Sequence, residues 1–263
     1  MKEDIMSLNI ILCIKSVVLD APDGRVVRSP ETTGLNPFDR PAIEMALRLR
    51  EEMGGNITAI SMGPESAAFA LYEAMSMGVD RAILISDRDL AGSDTLATSR
   101  SLAAAIKTLS PFDLAIFGAR SSDSDTGQVG PQTAVQLDLP FITGVYDIKA
   151  KDSEIILERG IDEFIESFRI SLPAALAVHA VAVQPRDVRL SGIEKAFGIE
   201  SLERINLKDL DIPKETVGDD GSPTKIVSLE RVVRKKKCEF ISGTVEEQAD
   251  ELVRRLKETG HIG

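Results

Sequence analysis

"FDLAIFGARSSDSDTGQVGPQTAVQLD" (residues 112–138) carries an apolar run into a polar, flexible loop and then into a helical pattern. A short apolar run bounded by glycine reads as a buried strand, and "VGPQTAVQLD" (129–138) reads as the helix that follows it. The loop between them, "GARSSDSDTGQVGP" (118–131), is made almost entirely of Gly, Ser, Thr, Asp and Gln. Gly127 and Gly130 permit close backbone approach, and Asp125, Thr126 and Gln128 lie where the chain enters a helix whose first-turn N–H groups would face an anion. The spacing matches neither G-x-G-x-x-G nor G-x-x-x-x-G-K-[ST], so these residues alone leave both a structural turn and a nucleotide cradle open.

The same strand-then-helix rhythm extends outward. "LNIILCI" (8–14), "NITAISM" (56–62) and "RAILIS" (81–86) are further strand candidates, separated by "NPFDRPAIEMALRLREE", "GPESAAFALYEAMSMG" and "SDTLATSRSLAAAIKTL". In the first of these helical patterns Asn36 suits the N-cap, Pro37 the first helical position, and Ile43, Ala46, Leu47 and Arg50 share a face. The rhythm predicts an α/β fold with an open, doubly wound, mostly parallel sheet, whose ligand sits beyond the carboxyl ends of the strands. Four segments stand there: "CIKS" (13–16), "MGP" (62–64), "SDRDLAGSDT" (86–95) and the loop after 117.

From about residue 140 the texture changes to apolar–polar alternation, read as an antiparallel hairpin addition over 140–183. Residues 184–242 lose regular periodicity, with Pro185, Pro213 and Pro223 and the basic run "RKKK" (234–237), which reads as a solvated face. A terminal helix then opens with the capping-box pair Thr244 and Glu247, and Val245, Ala249, Leu252, Val253 and Leu256 form one apolar stripe. The expected organisation is an α/β domain over 1–183 and an arm over 184–263 whose helix docks on another surface.

Composition narrows the function. A formal net charge of −11 over 263 residues argues against wrapping nucleic acid or lying on an anionic membrane. The apolar runs are short, and acids stand where a signal peptide wants a basic flank, so a cytoplasmic location without membrane insertion is expected. Cys13 and Cys238 have no metal-ligand or CxxC spacing. Cys13 reads as core rather than nucleophile, because no base is in view. His179, within "ALAVHAVAV", reads as a core or edge residue, and no metal or histidine triad is expected.

Taken together, "LCIK", "NPFD" before "AIEMALRLRE", "SMGP", "AMSMGVDRAI", the 118–131 loop and above all "ERGIDEFIESFRISLPAALAV" (158–178) resemble the β subunit of electron-transfer flavoprotein. The resemblance covers nearly the whole chain and implies an adenine nucleotide α-hydrolase-like fold. It implies cofactor contacts at Cys13, at Asn36, Pro37, Phe38 and Asp39, at Met62, and along Ala119, Arg120, Ser121, Ser122, Asp123, Ser124, Asp125, Thr126, Gly127, Gln128, Val129 and Gly130. It places a recognition loop at "PRDVRLSGIEKA" (185–196), in which Leu190 meets a partner dehydrogenase. The implied function is electron transfer in a heterodimer, with no catalytic residue on this chain. The α subunit holds most of the FAD, while this subunit holds AMP or a second FAD. Electrons pass between acyl-CoA dehydrogenase-type flavoenzymes, as in fatty acid β-oxidation, and a quinone reductase or ferredoxin.

Departures from the family pattern stand at Asp20, where many relatives carry an aromatic residue, and at "AVQPRD", where family loops read Asn-x-Pro-Arg-Tyr. Phe38 resembles AMP-binding members, whereas "SDTLATS" (93–99) and "GSPT" (221–224) resemble electron-bifurcating, NADH-using ones. The alternatives are an ATP-dependent enzyme of the adenine nucleotide α-hydrolase superfamily, whose SGGxDS-like loop "CIKSVVLD" does not supply, and a stand-alone nucleotide sensor.

Overall fold

The computed structural model describes residues 7–20, 28–29, 31–151, 154–198, 202–228 and 238–262. The chain divides into one compact unit, Met1–Ile226, and a second, Val227–Gly263.

The first unit is built on nine strands: β1 (Leu8–Cys13), β4 (Gly55–Met62), β5 (Arg81–Ile85), β6 (Leu114–Gly118), β7 (Phe141–Lys151), β8 (Glu154–Ile161), β9 (Phe164–Ser171), β10 (Ala174–Val178) and β11 (Leu202–Ile205), in spatial order β11-β5-β4-β1-β6-β10-β7-β8-β9. β2 (Ser16–Val18) and β3 (Thr33–Leu35) form a separate antiparallel pair. The helices are α1 (Arg40–Met53), α2 (Ala68–Met77), α3 (Thr95–Thr108), α4 (Val129–Gln136) and α5 (Leu190–Ala196).

Strand alternation sends successive side chains to opposite faces, and both faces are covered. Leu8, Ile10, Leu12, Ile57, Ala59 and Leu84 pack with Ile43, Ala46 and Leu47 of α1 and Leu71 of α2. Ile11, Cys13, Ile60, Ile83 and Phe117 pack with Leu102, Ala105 and Ile106 of α3 and Ala134 of α4 on the other side. This is the doubly wound, mostly parallel α/β sheet that the sequence rhythm predicts.

Three details differ from the sequence reading. The segment after 140 is a meander, β7-β8-β9, from which β10 returns to lie parallel between β6 and β7. "AALAV" is buried at every position, which marks a central parallel strand rather than half of a hairpin. The compact unit also continues past 183, because β11 pairs parallel with β5 and extends the sheet. Finally, α1 starts at Arg40 with Asp39 as N-cap and proline at Pro41, so Asn36 and Pro37 stand one turn ahead of the helix.

The second unit contains α6 (Val245–Glu258), which has the expected capping box: Thr244 Oγ1 accepts from Glu247 N, and Glu247 Oε2 accepts from Thr244 N. No residue of α6 is buried, and Val245, Leu252 and Val253 are exposed. "RKKK" (234–237) lies outside the described residues. Among the described residues no helix is long and apolar enough to cross a membrane.

Leu12→Ala, near the carboxyl end of β1, removes a fully buried side chain and is expected to destabilise the chain by about 2–5 kcal/mol in urea titration. Glu203→Ala on β11 removes only an exposed ion pair with Arg81 and is expected to stay within about 0.5 kcal/mol.

Candidate functional site

The chain runs from β1 outward through β4 to β5, then crosses over α3 to β6 on the other side of β1. That reversal makes the β1/β6 boundary the topological switch point, where such sheets bind ligands. Cys13 and Phe117 are paired there, and the loops that leave the two strands face one another.

Two buried polar side chains tie these loops together. Lys15 N donates to Asp39 Oδ2 at 2.7 Å. Asn36 Nδ2 donates to Asp39 Oδ1 at 2.9 Å and to Arg120 O at 2.8 Å, and Ser122 N donates to Asn36 Oδ1 at 3.1 Å. Asn36 is 1% exposed and Asp39 4%. The contact also dictates Gly118: a Cβ there would lie 2.2 Å from Asp39 Oδ1 and 2.7 Å from Phe38 O, so any side chain would displace the carboxylate or the backbone.

Burial pushes the Asp39 carboxyl up to about 7, the nearby Asp123 charge adding to the rise, although the Lys15 N–H, the Asn36 amide and the Lys15 charge pull the other way. The same burial, with the Asp39 charge, pushes the Cys13 thiol well above its ordinary value. Cys13 is therefore an inert core thiol at the end of β1, as the sequence suggests.

The outer part of the loop is charged. Lys15 Nζ lies 2.7 Å from Asp123 Oδ1 and 3.4 Å from Ser121 Oγ, with Arg28 3.9 Å from the other Asp123 oxygen. Partial burial pushes the Asp123 carboxyl up, but the Lys15 hydrogen bond and charge outweigh it and leave it below the usual carboxylate range. Arg120 Nε lies 3.0 Å from Asp125 Oδ1, and its guanidinium sits 4.8 Å from the Phe38 ring centroid. Asp125 and Gly127 take φ of 53° and 61°, turning the chain into α4. Ser122, Asp123, Ser124, Asp125, Thr126 and Gln128 are exposed along this rim, and Met62 is half-buried at the end of β4.

The structure thus brings Cys13, Asn36 to Asp39 and the start of the 119–130 loop into one cluster. Asn36 and Asp39, however, spend their side chains on the protein itself. Gly130 has a packing role: a Cβ there would lie 3.3 Å from the Phe117 and Phe141 rings, so the glycine lets α4 sit close on the sheet. Leu190 stands apart on α5 and is 84% exposed.

The sequence reading includes Lys15 in "CIKS" at a strand end without giving it a role, and Arg28 escaped it, because a lone cation near a strand end has no local signature. So did a second tie. Ser222 Oγ accepts from Asp94 N at 2.8 Å, Asp94 Oδ2 accepts from Thr224 N at 3.0 Å, and Asp94 Oδ1 caps α3 through Leu96 N and Ala97 N. "SDTLATS" and "GSPT" are therefore one structural feature. His179 stacks on Tyr146 with ring centroids 4.2 Å apart. Among the described residues no group of three or more His, Cys, Asp or Glu is placed to hold a metal ion.

The donor set at the switch point consists of backbone N–H groups opening α4, hydroxyls, and the cations Lys15, Arg28 and Arg120, which is chemistry suited to phosphate. A family model described as "Electron transfer flavoprotein domain" matches residues 23–203. Electron transfer flavoprotein subunit beta of Thermoanaerobacterium thermosaccharolyticum is 35% identical over 255 residues, covering 95% of this chain and 98% of that protein. The chain belongs to the electron transfer flavoprotein β-subunit family. Other members of the family similar to it carry more specific names. The caffeyl-CoA reductase-Etf complex subunit CarD of Acetobacterium woodii is 36% identical, with 95% of this chain and 98% of that protein covered. The acryloyl-CoA reductase electron transfer subunit gamma of Anaerotignum propionicum is 35% identical with the same coverage.

The raised Asp39 value gives this family member a pH signature. A folded-state value of about 7 against an ordinary 3.8 means that the folded chain binds this proton more tightly than the unfolded one. The stability it contributes is complete below about pH 4 and is lost as pH rises through about 7, with a slope of at most about 1.4 kcal/mol per pH unit. Asp39→Asn is expected to flatten that part of the stability curve, checked by urea titrations between pH 5 and pH 8, on the order of one titration per half unit.

Proposed function

We propose that this chain is the nucleotide-binding β subunit of a heterodimeric electron-transfer flavoprotein. It holds AMP or a second FAD at the β1/β6 switch point while its α subunit carries the principal FAD. The observation that carries this reading is the loop at 118–128, pinned at its root by Asn36 and rimmed by Lys15, Arg28 and Arg120. Such a site offers fixed donors to a phosphate at the place where doubly wound sheets bind nucleotides. Ala119 to Gly130 would hold the phosphate end, with Phe38 and Met62 as apolar neighbours. The flavin supplies the electron-carrying chemistry when bound, and this chain's own residues bind, orient and exclude water.

The relatives' names favour partners that act on CoA esters, and an acyl-CoA dehydrogenase-type flavoenzyme is the proposed electron partner, with a quinone reductase or ferredoxin at the other end. The uncovered apolar stripe of α6 supports a clasp on the α subunit, and exposed Leu190 supports a contact with the dehydrogenase. The proposed location is the cytoplasm. A bifurcating role with a second FAD, and NADH as reductant, is favoured by one further observation: the Asp94, Ser222 and Thr224 tie joins the two segments that resemble bifurcating members.

Co-expression with candidate α subunits, followed by chromatography of the released nucleotides, tests the reading. One FAD and one AMP per heterodimer indicate a simple carrier, and two FAD indicate bifurcation. Asn36→Ala frees the loop root and is expected to lower the nucleotide held by this chain at least about tenfold, with the α-subunit FAD retained. Recovery of this chain without AMP or a second FAD from every complex overturns the assignment.

A further inference from the structure

Outside the switch point, a dense set of charged contacts surrounds Arg186, at the start of the segment that carries α5. Its Nε donates to Glu44 Oε2 at 2.8 Å and its backbone N–H to the same oxygen at 3.1 Å, while Nη2 reaches Glu44 Oε1 at 3.2 Å. Nη1 and Nη2 also donate to Glu51 at 2.6 and 3.1 Å. Both carboxylates belong to α1, and the Glu44 side chain is only 5% exposed. A buried glutamate is tolerated only when its lone pairs are filled, and Arg186 supplies most of the donors, with Arg48 adding one at 2.9 Å.

A second anchor lies six residues on. A Cβ at Gly192 would stand 2.2 Å from Ser76 O, so α5 rests directly on the α2 backbone. Phe197 then stacks at 4.6 Å on Tyr72 of α2. Between and beside these anchors the segment turns apolar side chains outward: Leu190 is 84% exposed, Ile193 41% and Phe197 56%. A short segment that pays for a buried charge clamp at its root while exposing leucine at its crest is built to hold a shape, not to cover a core.

We infer that Arg186 is a positioning residue for partner capture: its fork onto Glu44 and Glu51, with Gly192 seated on Ser76, holds Leu190 and Ile193 as a preformed protrusion for the partner flavoenzyme. The inference rests on the reading of Leu190 as a partner contact and adds the device that shapes that contact. A protrusion ordered beforehand loses less conformational freedom on binding, so the clamp acts on capture and not on the electron-transfer step. Lysine cannot replace this arginine, because a single ammonium cannot bridge two carboxylates through a planar fork.

The test uses the full heterodimer and an acyl-CoA dehydrogenase that the wild-type heterodimer reduces. Arg186→Gln is expected to raise the KM for the dehydrogenase about tenfold with kcat held, and to speed hydrogen exchange over 187–196. Arg186→Lys is expected to recover little of the loss. In a Leu190→Ala background, Arg186→Gln is expected to add almost nothing, because it acts through the same contact. Should Arg186→Gln fail to fold, Glu51→Gln loosens only the exposed half of the fork and is expected to give a smaller KM rise of the same kind. An unchanged KM in Leu190→Ala overturns the partner-contact reading. An impaired Leu190→Ala beside an unaffected or fully additive Arg186→Gln overturns the clamp alone.

Discussion

The buried contact between Asn36 and Asp39 is the constraint on which the site depends. Two parallel strands end side by side at the switch point, and each releases a loop whose backbone polar groups need partners. Asp39 answers Lys15 N on the β1 side, and Asn36 answers Arg120 O and Ser122 N on the β6 side. Each side chain also satisfies the other, so neither loop can shift without leaving a buried donor or acceptor unpaired, a loss of about 1–3 kcal/mol. The raised carboxyl of Asp39 is the residue of that arrangement: the hydrogen bonds do not fully offset the burial of a charge. Gly118 follows from the same contact, since the carboxylate occupies the space a Cβ needs.

Most of the fold was legible because it is written in local patterns. The runs of β1, β4, β5 and β6 are apolar on both faces, as strands covered on both sides must be, and the helices between them carry readable stripes and caps. What escaped was set by distant partners. "LERI" in β11 carries two charges in four residues and becomes a strand only because β5 offers it an edge. "AALAV" sits in hairpin-like surroundings and was drawn into the wrong class by its neighbours, although its own residues are all buried. Asn36 shows the limit most clearly. A short side chain with an acceptor before a proline suits an N-cap, yet the groups it satisfies are 84 and 86 residues away. The resemblance implies cofactor contacts at Asn36 and Asp39, whereas in the structure both side chains hold the loop in place.

The charge arrangement at the rim has a second consequence. In a chain with a formal charge of −11, Lys15, Arg28 and Arg120 gather at one loop, and two of its own aspartates already face them. A phosphate arriving there must share these cations with Asp123 and Asp125, so charge attraction alone gives weak capture. Selection of the proposed ligand would then fall to the rest of that ligand and to donors without a competing acid, such as N–H groups that open α4. For the proposed nucleotide site, this would favour a whole nucleotide over a free anion and would give a rim this polar a use for its rigid root.

The opposite regime governs α6. Its capping box and the ion pairs of Arg254 with Glu251 and Glu258 are local devices, and no apolar side chain of the helix is buried. A helix of 14 residues has marginal stability in water without packing on its apolar face. Exposed pairs of this kind add only a few tenths of a kcal/mol each, which cannot substitute for a core. The first unit carries its order within itself, down to the buried amide that fixes one loop. The stripe of Val245, Leu252 and Val253 is exposed, and the proposed heterodimer would offer it a second surface.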